Sequence, residues 1–151
     1  MDYHARVTTE IANYERRIVI HDLPDIFHYW SNKYLAPMVV DVFGGNNLYG
    51  VFANELKISV LAAGNPLIVS IGSGDGGVEI AIAQHLVQQG FHDFKFHCLE
   101  LSPVLIGRAQ AAIAQAKLEQ YISFEQVDLS VWVPRNSYGA AFAHHSLHHI
   151  V

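Results

Sequence analysis

The sequence predicts an α/β fold in which a parallel sheet, with helices between its strands, follows a helical N-terminal cap. Three observations carry this reading. After the turn-forming cluster Gly64-Asn65-Pro66, short apolar runs alternate with amphipathic stretches, which is the pattern of βα units. One of those runs passes through several glycines straight into a helix-forming segment. Before the cluster, apolar residues recur only at helical intervals. The division predicts a cap over 1–63 and a sheet-bearing unit over 64–151. With 151 residues, 51% of them hydrophobic and 15% charged, there is material for a buried core.

Taken in order, the stretch Asp25 to Phe43 is rich in aromatics and predicts helix. Gly44-Gly45-Asn46-Asn47 breaks it, and Leu48 to Ala63 resumes with Val51, Leu56 and Val60. Leu67 to Ile71 is a compact strand, followed by a helix from about Gly77 to Gln89 that Gly90 terminates. Phe94 to Leu99 is a second strand. Pro103 then opens a helix whose Leu105, Ala109, Ala112, Ile113 and Ala116 share one face. Ile122 to Val127 and Gly139 to Ala143 complete four predicted strands.

Composition narrows the function. A net charge of -5 without any Lys/Arg run argues against a surface that neutralises phosphates, so no nucleic-acid partner is expected. The charged N-terminus does not read as a signal peptide, and no window nears 18 uninterrupted apolar residues, so no membrane association is expected. The single cysteine, Cys98, lies in the second predicted strand and cannot form an internal disulfide. That fits a reducing, cytoplasmic setting.

The most informative stretch is Ile71-Gly72-Ser73-Gly74-Asp75-Gly76-Gly77. Glycines between a strand and a helix allow a tight turn and let backbone N–H groups approach a ligand, so Gly72, Ser73, Gly74 and Gly76 are candidate binding positions for a nucleotide-like molecule. Gly72, Gly74 and Gly77 also satisfy the dinucleotide fingerprint, so the glycines alone do not choose the ligand. Glu100 follows the second predicted strand, where a carboxylate can accept hydrogen bonds from ribose hydroxyls.

The succession IGSGDGG, HCLELSPVLIGRAQ, FEQVDLS and AFAHHSLHHIV resembles, in order and spacing, the class I, Rossmann-like S-adenosylmethionine-dependent methyltransferases. The resemblance covers about Leu67 to Val151. It implies that Gly72, Gly74 and Gly76 lie under the methionine and ribose portions of S-adenosylmethionine, that Glu100 binds the ribose, that Asp128 faces the adenine amino group, and that Leu101 and Leu129 flank the adenine ring. The sequence departs from the family at Ser70, where an acid often stands two positions before the first glycine. The family's sheet has seven strands against four here. The chain is therefore expected to be truncated after the fourth strand, leaving an edge open to self-association.

His145, His148 and His149 follow the fourth strand and are the candidates for a base that takes a proton from the methyl acceptor, although histidines in such a cluster can equally shape the pocket. Their spacing would also permit metal ligation, but without a cysteine or carboxylate alongside no metal is assigned. Tyr29, Trp30 and Tyr34 are expected to dock the N-terminal helix onto the sheet or, on the resemblance, to lid a substrate cleft. No Asn- or Asp-Pro-Pro-aromatic sequence follows the fourth strand, which favours a small-molecule or peptide-like acceptor. Two other readings stand beside methyl transfer: an NAD(P)-dependent oxidoreductase, and a non-catalytic, self-associating nucleotide-binding module.

Overall fold

The computed structural model describes residues 3–16 and 24–147. Helix α1 (Tyr3–Arg16) packs against α6. The predicted helix from Asp25 divides into α2 (Asp25–Trp30), a π-helical turn (Ser31–Leu35) and α3 (Ala36–Val42). Pro37 explains the widened turn: it has no N–H for the carbonyl of Lys33, and its ring would press on that carbonyl in a regular α-helix. Docking of the aromatics onto the sheet is not what the structure shows. Tyr29, Trp30 and Tyr34 are 54%, 50% and 48% exposed, and α2 and α3 bury no residue. The rings gather instead around Lys33, whose Nζ lies 5.0 Å from the Tyr29 centroid and 5.4 Å from that of Tyr34.

Helix α4 (Leu48–Ala63) belongs to the core. Asn47 caps it by accepting from the Gly50 N–H, and Gly64 ends it in the left-handed conformation. Its Ala53, Leu56 and Val60 pack in one cluster with Ile68 of β1 (Leu67–Ile71), Ile82 and Leu86 of α5 (Gly77–Gln88), and Phe96 and Cys98 of β2 (Lys95–Glu100). Helix α6 (Pro103–Ala116) adds Ile113, and β3 (Ile122–Gln126) adds Ile122. Ser102 caps α6 by accepting from the Leu105 N–H, with Pro103 in the first turn as its missing donor allows.

The four strands pair in parallel in the order β3-β2-β1-β4, β4 being Ala140–Phe142. Strand boundaries differ from expectation by about one residue at either end, because the ladder with neighbouring strands decides them: Glu100 pairs with Gln126, while Phe94 leaves the ladder to stack on Tyr121. β4 starts just after Gly139, a position that only glycine can fill, since a Cβ there would stand 2.0 Å from the Asn65 carbonyl oxygen. Helices α4, α5 and α6 contribute to the cluster on one sheet face. On the other, His97 of β2 lies between the Tyr138 hydroxyl at 2.7 Å and the Glu125 carboxylate at 2.9 Å. Strand order reverses between β1 and β4, and in open parallel sheets the crevice at such a reversal, at the carboxyl ends of the strands, is where ligands bind. Among the described residues no helix is long and apolar enough to cross a membrane.

Candidate ligand site

The loop from β1 to α5 sits in that crevice. Gly72, Gly74 and Gly76 have φ of 65°, 58° and 74°, the left-handed region that glycine enters without strain. Crowding adds a second reason at two of them. A Cβ on Gly72 would come within 2.5 Å of the Ser146 Cβ, and one on Gly76 within 3.1 Å of the Phe124 ring.

The loop closes largely on the protein itself. The N–H groups of Gly72 and Ser73 donate to the Leu99 carbonyl, that of Gly76 to the Ser73 carbonyl, that of Gly77 to the Asp75 carboxylate, and that of Gly74 to Glu100 Oε2 at 2.8 Å. Glu100 is the joint between loop and sheet. Its other oxygen, Oε1, accepts from the N–H groups of Leu101 and Ser102, each at 2.9 Å. A carboxylate offers about four acceptor directions, so these three bonds fix its orientation and leave room for a further donor.

A second acid lies beneath the loop that sequence reasoning did not single out. Glu79, in the first turn of α5, is only 2% exposed and accepts a short hydrogen bond from the Ser70 hydroxyl on β1. Its Oε2 is buried with no hydrogen-bond partner. Burial above all, together with the charges of Asp75 and Glu100, pushes the Glu79 carboxyl up to about 7 from an ordinary 4.5, against the lowering effect of Ser70. The Cys98 thiol, on β2 beside Ser70 in register, is pushed well above its ordinary range, first by burial and then by the Glu79 charge. The signal for Glu79 was present in the sequence: it shares one helical face with Ile82, Ala83 and Leu86, all buried.

The segment after β4 reaches the same loop through Ser146, also not singled out. Its hydroxyl donates to the Ile71 carbonyl, and its side chain walls Gly72. Adjacent His145 has φ of 54° and stacks edge-on against His144. His148 and His149 lie outside the described residues. Leu101 is half-buried next to Glu100, and the Val127 N–H bonds the Glu100 carbonyl, bringing the turn with Asp128 and half-buried Leu129 to the end of β2. Asp128 is itself engaged: it accepts from the Ser130 N–H and hydroxyl, in the manner of a turn-forming aspartate, and from the Tyr3 hydroxyl of α1 at 2.6 Å.

No protein-family profile matches the chain, and neither does any curated protein. Solved structures do. The S-adenosylmethionine-dependent methyltransferase SibL, in its apo form, superposes with a TM-score of 0.54 at 17% identity, over 89% of this chain and 33% of its own. A SAM-dependent methyltransferase from Thiobacillus denitrificans, in complex with S-adenosyl-L-homocysteine, gives a TM-score of 0.50 at 14% identity, over 83% of this chain and 45% of its own. This chain thus spans between a third and a half of the length of those proteins. The fold is the Rossmann-like fold of the class I methyltransferases.

Proposed function

We propose that the chain binds S-adenosylmethionine at the loop from Gly72 to Gly77 and is the cofactor-binding part of a methyltransferase acting on a small-molecule or peptide-like acceptor. The observation that carries the reading is the chemistry of the loop. A dinucleotide would set its pyrophosphate on free loop N–H groups at the helix N-terminus. Here the N–H groups of Gly72, Ser73, Gly74, Gly76 and Gly77 already have acceptors in the protein, and the acids around the loop are Asp75, Glu79 and Glu100. Such surroundings oppose a diphosphate and suit a nucleoside that carries positive charge. This weighs against the NAD(P)-dependent alternative.

The residues fit that ligand. Glu100, held by backbone donors, keeps acceptor capacity for a ribose hydroxyl. Bound there, S-adenosylmethionine supplies a sulfonium-activated methyl group, so no enzyme nucleophile is needed. The protein's part is to align two ligands and exclude water. Ser146 ties the segment that carries His145 to the loop, which supports His145, of the three candidate histidines, as the group that takes a proton from an acceptor.

Calorimetric titration of the chain with S-adenosylhomocysteine, with NADH in parallel, tests this reading. Saturable binding of the first alone is expected, and its loss in Glu100→Ala. Binding of NADH alone would replace methyl transfer with the oxidoreductase reading.

A further inference from the structure

Glu79 presents a problem that the fold does not solve by itself. Burying a carboxylate is costly unless hydrogen bonds or an opposite charge compensate it. Ser70 supplies one hydrogen bond, to Oε1, the residue's own backbone N–H adds a smaller favourable contribution, and Oε2 has no hydrogen-bond partner. The groups facing it make matters worse: Asp75 in the loop and Glu100 at the end of β2 are acidic, and the Cys98 thiol on β2 stays neutral. Helix α4, packed on α5, brings Glu55 and Lys57, but Glu55 is exposed and Lys57 lies over the Phe91 ring, and helix α6, also packed on α5, carries Arg108, which is not among the groups acting on Glu79. The missing partner is a positive charge, and the element Glu79 sits under is the glycine loop.

We propose that Glu79 is a positioning residue for the loop's ligand, and that the Ser70–Glu79 pair gives up its proton when a cationic, amino-acid-bearing nucleoside settles on the loop. This rests on the reading of the loop as an S-adenosylmethionine site. The neutral carboxyl is tolerated in the ligand-free protein because burial and two neighbouring acids favour it. The ammonium of a ligand on the loop would stabilise the carboxylate, while Ser70 keeps its hydroxyl on Oε1 in either state. Proton release and ligand uptake are then one linked event. An acid carried on the helix turn thereby does its work from behind the strand position that Ser70 occupies.

The test is calorimetry of the full chain with S-adenosylhomocysteine at about pH 6 and about pH 7.5, in two buffers of different ionisation heat so that protons are counted. Affinity is expected to rise with pH, by up to about tenfold for each unit by which the ligand lowers the carboxyl's midpoint, with a fraction of a proton released. Glu79→Gln should bind with a flat profile and no release. Ser70→Ala, which removes the hydrogen bond that lowers the midpoint, should move the profile to higher pH, a shift that a merely structural role would not produce. Should Glu79→Gln not fold, the proton count on the unaltered chain decides. Binding with neither pH dependence nor proton release overturns this inference and leaves the cofactor reading intact. No binding at any pH overturns both.

Discussion

The end of β2 and the first turn of α5 each bury a glutamate against the same loop, and the two are satisfied in opposite ways. Glu100 accepts from the backbone N–H groups of Gly74, Leu101 and Ser102, so its charge is held by dipoles that cannot move away. Glu79 accepts from one hydroxyl, keeps one oxygen without a partner, and has its midpoint driven to about 7. The residue type is shared, and the surroundings make one a fixed acceptor and the other a group that changes charge. What separates them is the balance of donors and burial: three backbone N–H groups converge on Glu100, whereas Glu79 is buried more deeply and has only the Ser70 hydroxyl and its own backbone N–H to offset that.

Removing the fixed acceptor should have the largest effect. Glu100→Ala leaves three N–H donors without their acceptor, which at about 1–3 kcal/mol for each that stays buried predicts a loss of roughly 4 kcal/mol in a denaturant titration, together with loss of S-adenosylhomocysteine binding. The titrating acid comes next. Because its folded midpoint, about 7, lies above the ordinary 4.5, its stabilising contribution is complete below 4.5 and lost as pH rises through 7, a difference of about 3 kcal/mol. Thermal melts of Glu79→Gln against the unaltered chain should show the fall in stability between about pH 5 and pH 8 much reduced in the variant. An equal fall in both would mean that Glu79 does not titrate there.

Smaller changes sharpen the contrast from outside the two acids. Ser146→Ala removes the hydroxyl that bonds the Ile71 carbonyl and should cost about 1 kcal/mol, while leaving the pH dependence of stability as it was. Tyr3→Phe should change stability by about 0.5 kcal/mol or less, its hydroxyl being exposed. If Asp128 receives the adenine amino group, the same change should modestly tighten S-adenosylhomocysteine binding by removing one donor that competes for that carboxylate, while the two from Ser130 remain. Unchanged affinity would separate Asp128 from the nucleoside.

The units from β1 to β3 were legible because two periodicities alternate there, with glycine and proline marking where one gives way to the other. The joint between Gly74 and Glu100 was legible in part, since glycine loop and strand-end acid stand at a recurrent spacing. Glu79 stands out less, because an acid in the first turn of a helix ordinarily faces solvent and favours the helix dipole. Contacts between distant residues left no local trace: Tyr3 meets Asp128 across 125 positions and Ser146 meets Ile71 across 75. The aromatics of α2 misled for a related reason, since ring content reports a capacity for burial while only the assembled surface decides what is buried.

The bond from Ser146 to Ile71 also orders events in time. On a chain emerging from its N-terminus, β1, α5 and β2 can pair while β4 and Ser146 are still unmade, so the loop exists for a period without its wall at Gly72. Closing a contact 75 residues apart comes after those local pairings, so the wall at Gly72 is made later than the loop it bounds.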